Sequence, residues 1–125
     1  MPLCATLGIA AHVLSPARTV LAIDWRAELC TTAGVLHGGV LMALADSAGA
    51  ACAYTNLPDG AIATSTIESK TNFLGAVRGG TLFATATPLH VGRTTIVVET
   101  ELRLGPEPTD RLVGKTTQTQ AVRYG

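Results

Sequence analysis

The longest apolar stretch, from Gly38 to Tyr54, constrains the fold of this 125-residue chain more than any other feature. The stretch contains no proline, consists largely of alanine and leucine, and is followed by the turn-forming sequence NLPDG at residues 56–60. Good helix formers ended by a turn signal predict an α-helix from about Val40 to Tyr54. Since Asp46 lies near its middle, the stretch falls short of the ~20 apolar residues that a bilayer span requires.

Both faces of this predicted helix are apolar or small, apart from the one aspartate. Because neither face resembles a solvated surface, the helix is expected to be buried nearly all round. At 100° per residue the two faces consist of Val40, Leu41, Leu44, Ala48, Ala51 and Cys52, and of Met42, Asp46, Gly49, Ala50 and Ala53.

The remainder of the chain has the texture of β-strands, with Thr-, Val- and Ile-rich segments separated by Gly- and Pro-containing turns. One buried helix followed by four successive strands favours a single α+β domain over residues 1–125, with an antiparallel sheet on the helix. The last strand alternates Lys and Thr with Gln and Thr, which suits an edge or partly solvated position. The expected strands are Thr19–Trp25, Ala61–Leu74, Thr81–His90, Thr94–Leu104 and Leu112–Val122, and Leu7–Leu14 is a short helix or a strand.

Composition excludes several classes of function. Nine basic and nine acidic residues give a net charge of zero, and no basic block provides a surface for nucleic acid. The cysteines Cys4, Cys30 and Cys52 lack metal-ligand spacing and fit a reducing compartment. The first residues lack the basic segment of a signal peptide. We therefore expect a soluble cytoplasmic protein without a metal, a nucleic-acid partner or a membrane span.

The helix begins at His37-Gly38-Gly39, where two glycines cost backbone entropy. Glycines allow another group to approach the backbone N–H donors of the first turn, which carry the positive end of the helix dipole. Such a place can stabilise a developing oxyanion. The alternative is a tight turn into a helix that binds nothing.

Asp46 is the most informative single residue. A carboxylate among apolar neighbours is costly to bury unless it is paired or used, and no Lys or Arg lies within four residues. Desolvation would make it a better base. The alternative is a solvent-facing aspartate, which the small and apolar neighbours on its face disfavour.

The spacing between these two features predicts a dimer. Gly38 and Asp46 are eight residues apart, or about 12 Å along a helix, whereas attack and hydrogen-bond distances are near ~3 Å. One chain's Asp46 therefore cannot serve its own Gly38. If both act on one bond, they come from two chains whose helices run antiparallel across a two-fold axis.

The residues from about Ala33 to Val122 resemble the PaaI-type acyl-CoA thioesterases of the hotdog fold. The strings that carry the resemblance are VLHGGVLMALADSAGAACA, TIESKTNFLGAVRGG, GRTTIVVETELR and KTTQTQAV, and the HGG-x6-D spacing is the most diagnostic. The resemblance implies a curved antiparallel sheet wrapped around one long central helix. It also implies homodimers with shared active sites that pair into homotetramers, with acyl-CoA as the substrate and no cofactor beyond the coenzyme A of that substrate.

Carried over by position, the resemblance assigns roles to the helix start. It implies that the Gly38 N–H polarises the thioester carbonyl and that the partner chain's Asp46 acts as general base or nucleophile. His37 would shape the site, with Gly39 beside it. The position six before the histidine usually holds Asn or Gln. Here it is Thr31, which leaves water positioning and rate open.

Other residues are candidates for binding the substrate. The small residues Gly49 and Ala50 beside Asp46, together with Ala53, would leave room for a bulky or aromatic acyl group. In relatives a hydroxyl on the strand after the helix often contributes, and its candidates here are Thr64, Ser65 and Thr66. Phosphates of coenzyme A could meet Arg78, Arg93 or Lys70.

Two other functions stand beside hydrolysis. A non-catalytic acyl-CoA-binding or regulatory hotdog protein is favoured only by Thr31. A hotdog dehydratase or hydratase is disfavoured, because those enzymes pair their catalytic histidine and acidic residue in motifs other than HGG-x6-D. A serine hydrolase is disfavoured because the chain lacks a G-x-S-x-G elbow.

Overall fold

The computed structural model describes residues 1–125, and its secondary structure is one long helix with six strands and two short helices. The elements are α1 (Pro2–Leu7), β1 (Ala10–Leu14), β2 (Thr19–Asp24), a 3-10 turn (Ala27–Leu29), α2 (Gly38–Thr55), β3 (Ala61–Phe73), β4 (Thr81–Val91), β5 (Thr95–Arg103) and β6 (Leu112–Tyr124). The ambiguous segment Leu7–Leu14 is thus the end of a helix followed by a strand. Gly8 joins the two with a φ of 75°, a conformation in which glycine is favoured.

All six strands form one antiparallel sheet in the order β1-β2-β4-β5-β6-β3. Helix α2 contacts every one of them, so the sheet curves around it. The expected α+β arrangement of an antiparallel sheet around one helix is therefore confirmed. No helix is both long and apolar enough to cross a membrane.

The core lies between α2 and the concave face of the sheet. Leu44, Ala45 and Ala48 of the helix are fully buried, and β5 alternates buried with half-buried residues as its sequence predicts. Burying one Leu or Ile side chain contributes about 1.5–3 kcal/mol. Burial also raises the pKa of the Cys52 thiol, so this cysteine packs as a small apolar group.

The prediction that α2 is buried nearly all round is wrong within one protomer. Gly39, Met42, Asp46 and Tyr54 are exposed, and their spacings of three, four and eight residues place them along one stripe of the helix. The reason is geometric, because a single curved sheet covers only one side of a cylinder. We call these four residues the exposed stripe of α2.

The last strand, expected at an edge or in a partly solvated position, is not at an edge. Strand β6 lies between β5 and β3, and its Thr116, Gln118 and Gln120 are buried beneath the helix, while the alternate residues on its other face are half-buried. The edges are β1 and β3, and β3 exposes Ile62 and Ile67. The polar pattern does not identify an edge here, because the buried glutamines donate through Nε2 to other side chains, although their Oε1 atoms have no partner.

Candidate functional site

The N-terminus of α2 is fixed by the loop that precedes it. Backbone hydrogen bonds join Leu36 N–H to the Val77 carbonyl and His37 N–H to the Leu29 carbonyl, both at 2.9 Å. His37 caps the helix, because its Nδ1 accepts the Gly39 N–H at 2.9 Å. Gly38 is the first helical residue, so its N–H has no intrahelical acceptor and can bind an external group.

Close contacts explain why glycine stands at both positions. A Cβ on Gly38 would come within 3.1 Å of the Phe73 ring, and one on Gly39 within 3.1 Å of His37 Nδ1. Neither glycine has a positive φ. Within the protomer these glycines therefore make room for side chains, Phe73 beside Gly38 and His37 beside Gly39.

Asp46 lies halfway along the exposed stripe and is exposed in the protomer, contrary to the expectation that it is buried. Its Oδ1 accepts hydrogen bonds from Thr66 Oγ1 at 3.1 Å and from Gln118 Nε2 at 3.2 Å. No cation pairs with it, since the salt bridges of the chain join Arg103 to Glu101 and Lys115 to Glu99. The carboxylate is thus held in place without being neutralised.

Of the three candidate hydroxyls on β3, Thr66 is the one that contacts Asp46. Ser65 Oγ instead accepts from Arg123 Nε at 3.0 Å, and Thr64 lines a hollow beside the helix. The β3–β6 register shifts between Thr66 and Glu68. Such bulges re-aim side chains and are frequent beside active sites.

Two buried glutamines of β6 lie beneath this carboxylate, and sequence reasoning missed both. Besides the Gln118 contact, Gln120 Nε2 donates to Thr66 Oγ1 at 2.6 Å. A Cβ on Gly49 would overlap the Gln118 amide, so this glycine makes room for Gln118. The expectation that Gly49 leaves room for an acyl group is therefore wrong, because Gly49 is buried against β6.

Beyond Asp46, the stripe borders a hollow of about 470 Å³. Ala50, expected to bind substrate, lines it, whereas Ala53 is fully buried in the core. Three residues of the lining carry a hydroxyl, namely Tyr54, Thr55 and Thr64, and that of Thr55 is bonded to backbone carbonyls. The full lining is Met1, Leu14, Ala50, Ala51, Tyr54, Thr55, Ala63 and Thr64, without a charged side chain.

The remaining candidates lie apart from this hollow. Thr31 is in the loop before α2, where its Oγ1 accepts the Ala33 N–H at 3.3 Å. Arg78 follows Val77, the residue that anchors the helix start, and is exposed. Lys70 donates to Asn72 at 2.6 Å, and Arg93 lies beside Tyr124.

Comparison with known proteins identifies the family. The model of the thioesterase superfamily matches residues 33–109. The Bacillus subtilis protein ComA2, which is named as an esterase, is 35% identical over 97 residues, and the match covers 69% of this chain and 77% of that protein. A relative from Saccharolobus solfataricus, also named as an esterase, is 36% identical over 90 residues, and the match covers 63% of that protein.

Solved structures agree over nearly the whole chain. A thioesterase family protein from Silicibacter pomeroyi superposes with a TM-score of 0.91 at 29% identity, covering 100% of this chain and 91% of that one. Thioesterase HI1161 from Haemophilus influenzae gives 0.88 at 26% identity, covering 98% and 82%. The curved sheet around one helix is the hotdog fold. The chain belongs to the thioesterase superfamily.

Proposed function

We propose that the protein hydrolyses acyl-CoA thioesters to a free acid and coenzyme A. Membership of the thioesterase superfamily supports thioester hydrolysis in general. The observation that carries the proposal is the Asp46 carboxylate, which is exposed on α2 and held through Oδ1 alone. Its Oδ2 accepts no hydrogen bond from the protein and is available to a reacting water or carbonyl.

Two chains complete each site. Gly38 and Asp46 of one chain lie about 12 Å apart along α2, so an antiparallel partner helix brings the Gly38 N–H of one subunit to the Asp46 of the other. Met42, midway between them and exposed, then lies near the two-fold axis. The exposed edge of β3 provides further apolar surface for a homodimer, and pairing of dimers would give a tetramer.

The reaction uses few groups. As general base, Asp46 Oδ2 takes a proton from water while the water oxygen bonds to the carbonyl carbon. The Gly38 N–H stabilises the oxyanion that forms. Collapse of the tetrahedral intermediate breaks the C–S bond, and the departing thiolate of coenzyme A takes from Asp46 the proton that came from water. In the nucleophilic alternative, Oδ2 itself attacks, and water then cleaves the mixed anhydride.

The histidine beside the helix start assists by binding. Because His37 Nδ1 accepts the Gly39 N–H, the neutral ring carries its hydrogen on Nε2 and can donate it to the thioester. Gly39 thus fixes the orientation of this ring. The Thr31 hydroxyl, shorter than the Asn or Gln expected there, holds its own loop through Ala33.

The hollow along the C-terminal half of α2 suits a neutral apolar acyl group. It begins at Ala50, one helical turn from Asp46, and its volume lies within the usual range of ligand pockets. At the other end of the helix, exposed Arg78 is placed to meet a phosphate of coenzyme A.

The decisive variant is Asp46→Asn, which keeps the shape of the side chain and removes its basicity. We expect kcat for hexanoyl-CoA and phenylacetyl-CoA, followed by thiol release, to fall by roughly 10²- to 10⁴-fold. The matched control is Asp24→Asn, because Asp24 also accepts a threonine hydroxyl, from Thr81 at 2.6 Å, but lies on β2.

Near wild-type turnover by Asp46→Asn would contradict the proposal. Tight binding of a non-hydrolysable hexyl-CoA thioether by a wild-type protein without turnover would instead support the acyl-CoA-binding alternative. Label found in the Asp46 side chain after a single turnover in H₂¹⁸O would establish the nucleophilic route, since the general-base route leaves both carboxylate oxygens in place.

A further inference from the structure

Two glutamine side chains, Gln118 and Gln120, are buried where the sheet meets the helix. They are 0% and 1% exposed and lie two residues apart, on the same face of β6. Burying a primary amide is costly unless its hydrogen bonds are made, and here only the Nε2 donors are paired, since both Oε1 atoms are buried without a partner. Apolar side chains would fill the same space without that cost, which indicates that the two amides have a role other than packing.

Their donors converge on Asp46. Gln118 Nε2 donates directly to Asp46 Oδ1 at 3.2 Å. Gln120 Nε2 donates to Thr66 Oγ1 at 2.6 Å, which directs the hydroxyl hydrogen of Thr66 towards Asp46 Oδ1 at 3.1 Å. Both hydrogen-bond paths, the direct one from Gln118 and the one from Gln120 through Thr66, end on Asp46 Oδ1.

We propose that Gln118, and Gln120 acting through Thr66, are positioning residues that fix Oδ1 of Asp46 and so make Oδ2 the reacting oxygen. This inference rests on the proposed function, since it concerns the same carboxylate. Gly49 supports the arrangement by leaving space for the Gln118 amide against the helix.

The test is a set of isosteric variants that remove single donors. Gln118→Met keeps the volume of a buried side chain, and Thr66→Val removes one hydroxyl at an exposed position. We expect each to lower kcat by roughly 10- to 100-fold, the effect of a hydrogen bond to a charged group, with little change in KM.

The matched control is Thr71→Val. Thr71 lies on the same strand, and its hydroxyl is 2.7 Å from that of Thr116, so the variant also breaks one β3–β6 side-chain hydrogen bond. It has no hydrogen bond to Asp46, and we expect its kcat and KM to match the wild type. An equal effect of Thr71→Val and Thr66→Val would overturn the proposal, because sheet disruption alone would then explain both.

A double-mutant cycle tests the indirect role of Gln120. Gln120→Met should lower kcat in the wild-type background and have no further effect in the Thr66→Val background. An additive loss would show that Gln120 acts independently of Thr66 and would overturn its assignment. If Gln118→Met fails to fold, Gly49→Ala displaces the same amide from the helix side and should give the same kinetic change.

A readout without turnover separates this inference from the proposed function. Crystal structures of the wild type, Thr66→Val and Gln118→Met report the side-chain rotamer of Asp46 directly. A carboxylate that leaves its wild-type rotamer in the variants supports positioning even if the wild type hydrolyses no substrate, in which case the proposed function alone fails. An Asp46 rotamer unchanged in both variants would overturn the inference.

Discussion

At the scale of single residues, the helix start combines an unpaired donor with tight packing. Gly38 offers its N–H because it is the first helical residue, and the Phe73 ring lies against the place where its Cβ would be. His37 occupies a φ of −62° and a ψ of 138°, which suits a residue that precedes proline. Position 38 can therefore lose its N–H without losing the helix.

Gly38→Pro tests the donor, because proline is well tolerated at the first helical position and lacks an N–H. Gly38→Ala is its control, since it adds the same Cβ beside Phe73 and keeps the N–H. We expect kcat of Gly38→Pro to fall roughly 10²- to 10³-fold below that of Gly38→Ala, the usual cost of an oxyanion donor. Equal rates in the two variants would argue against an oxyanion contact at this N–H.

The sequence identifies some of these residues and misses others for a physical reason. Asp46 and His37-Gly38-Gly39 stand out because each is locally costly, a charge in an apolar helix and glycines at a helix start. Gln118 and Gln120 do not, because glutamine alternating with threonine is typical of a solvated strand. Only the pairing of β6 between β5 and β3 shows that they are buried.

At the scale of elements, different parts of α2 contribute different groups to the proposed site. Its first turn presents the free N–H, and its exposed stripe carries Asp46 and then borders the apolar hollow at Ala50 and Tyr54. The hollow contains no charged side chain, so no side chain of its lining would offset the hydration that an entering carboxylate loses.

Acyl preference follows from that lining. We expect kcat/KM for adipoyl-CoA to be at least about 10-fold below that for hexanoyl-CoA, which has the same six carbons without the terminal carboxylate. Ala50→Leu should narrow the hollow and lower kcat/KM for hexanoyl-CoA more than for acetyl-CoA, the internal control. A preference for adipoyl-CoA, or an equal effect of Ala50→Leu on both chain lengths, would place the acyl group elsewhere.

At the scale of the whole molecule, the protomer presents half of each proposed site. The Gly38 N–H and the Asp46 carboxylate lie on one helix but too far apart to meet on one carbonyl. The exposed stripe of α2 and the free edge of β3 leave room for a second copy that would supply the missing half.

Subunit complementation tests the shared site. Asp46→Asn and Gly38→Pro chains, co-expressed with different affinity tags and purified as the heterodimer, should form one intact and one doubly defective site. We expect about half of the wild-type activity per heterodimer, from two nearly inactive parents. The control pairs Asp46→Asn with an Asp46→Asn/Gly38→Pro chain, which leaves no intact site. A heterodimer as inactive as its parents would mean that both groups act within one chain.

The sequence by itself determined the elements and the reaction class. Helix α2 and strands β2 to β6 lie within a few residues of their predicted bounds, because periodicity and turn residues act locally. The HGG-x6-D spacing likewise singled out the helix start and Asp46.

The tertiary structure alone decided which strands are edges, which hydroxyl contacts Asp46 and what lies beneath it. Each of these depends on pairing between segments far apart in the chain, such as Thr66 with Gln120 across β3 and β6. Burial of a polar residue is a property of its neighbours, and no local pattern in β6 records that a helix lies over Gln118.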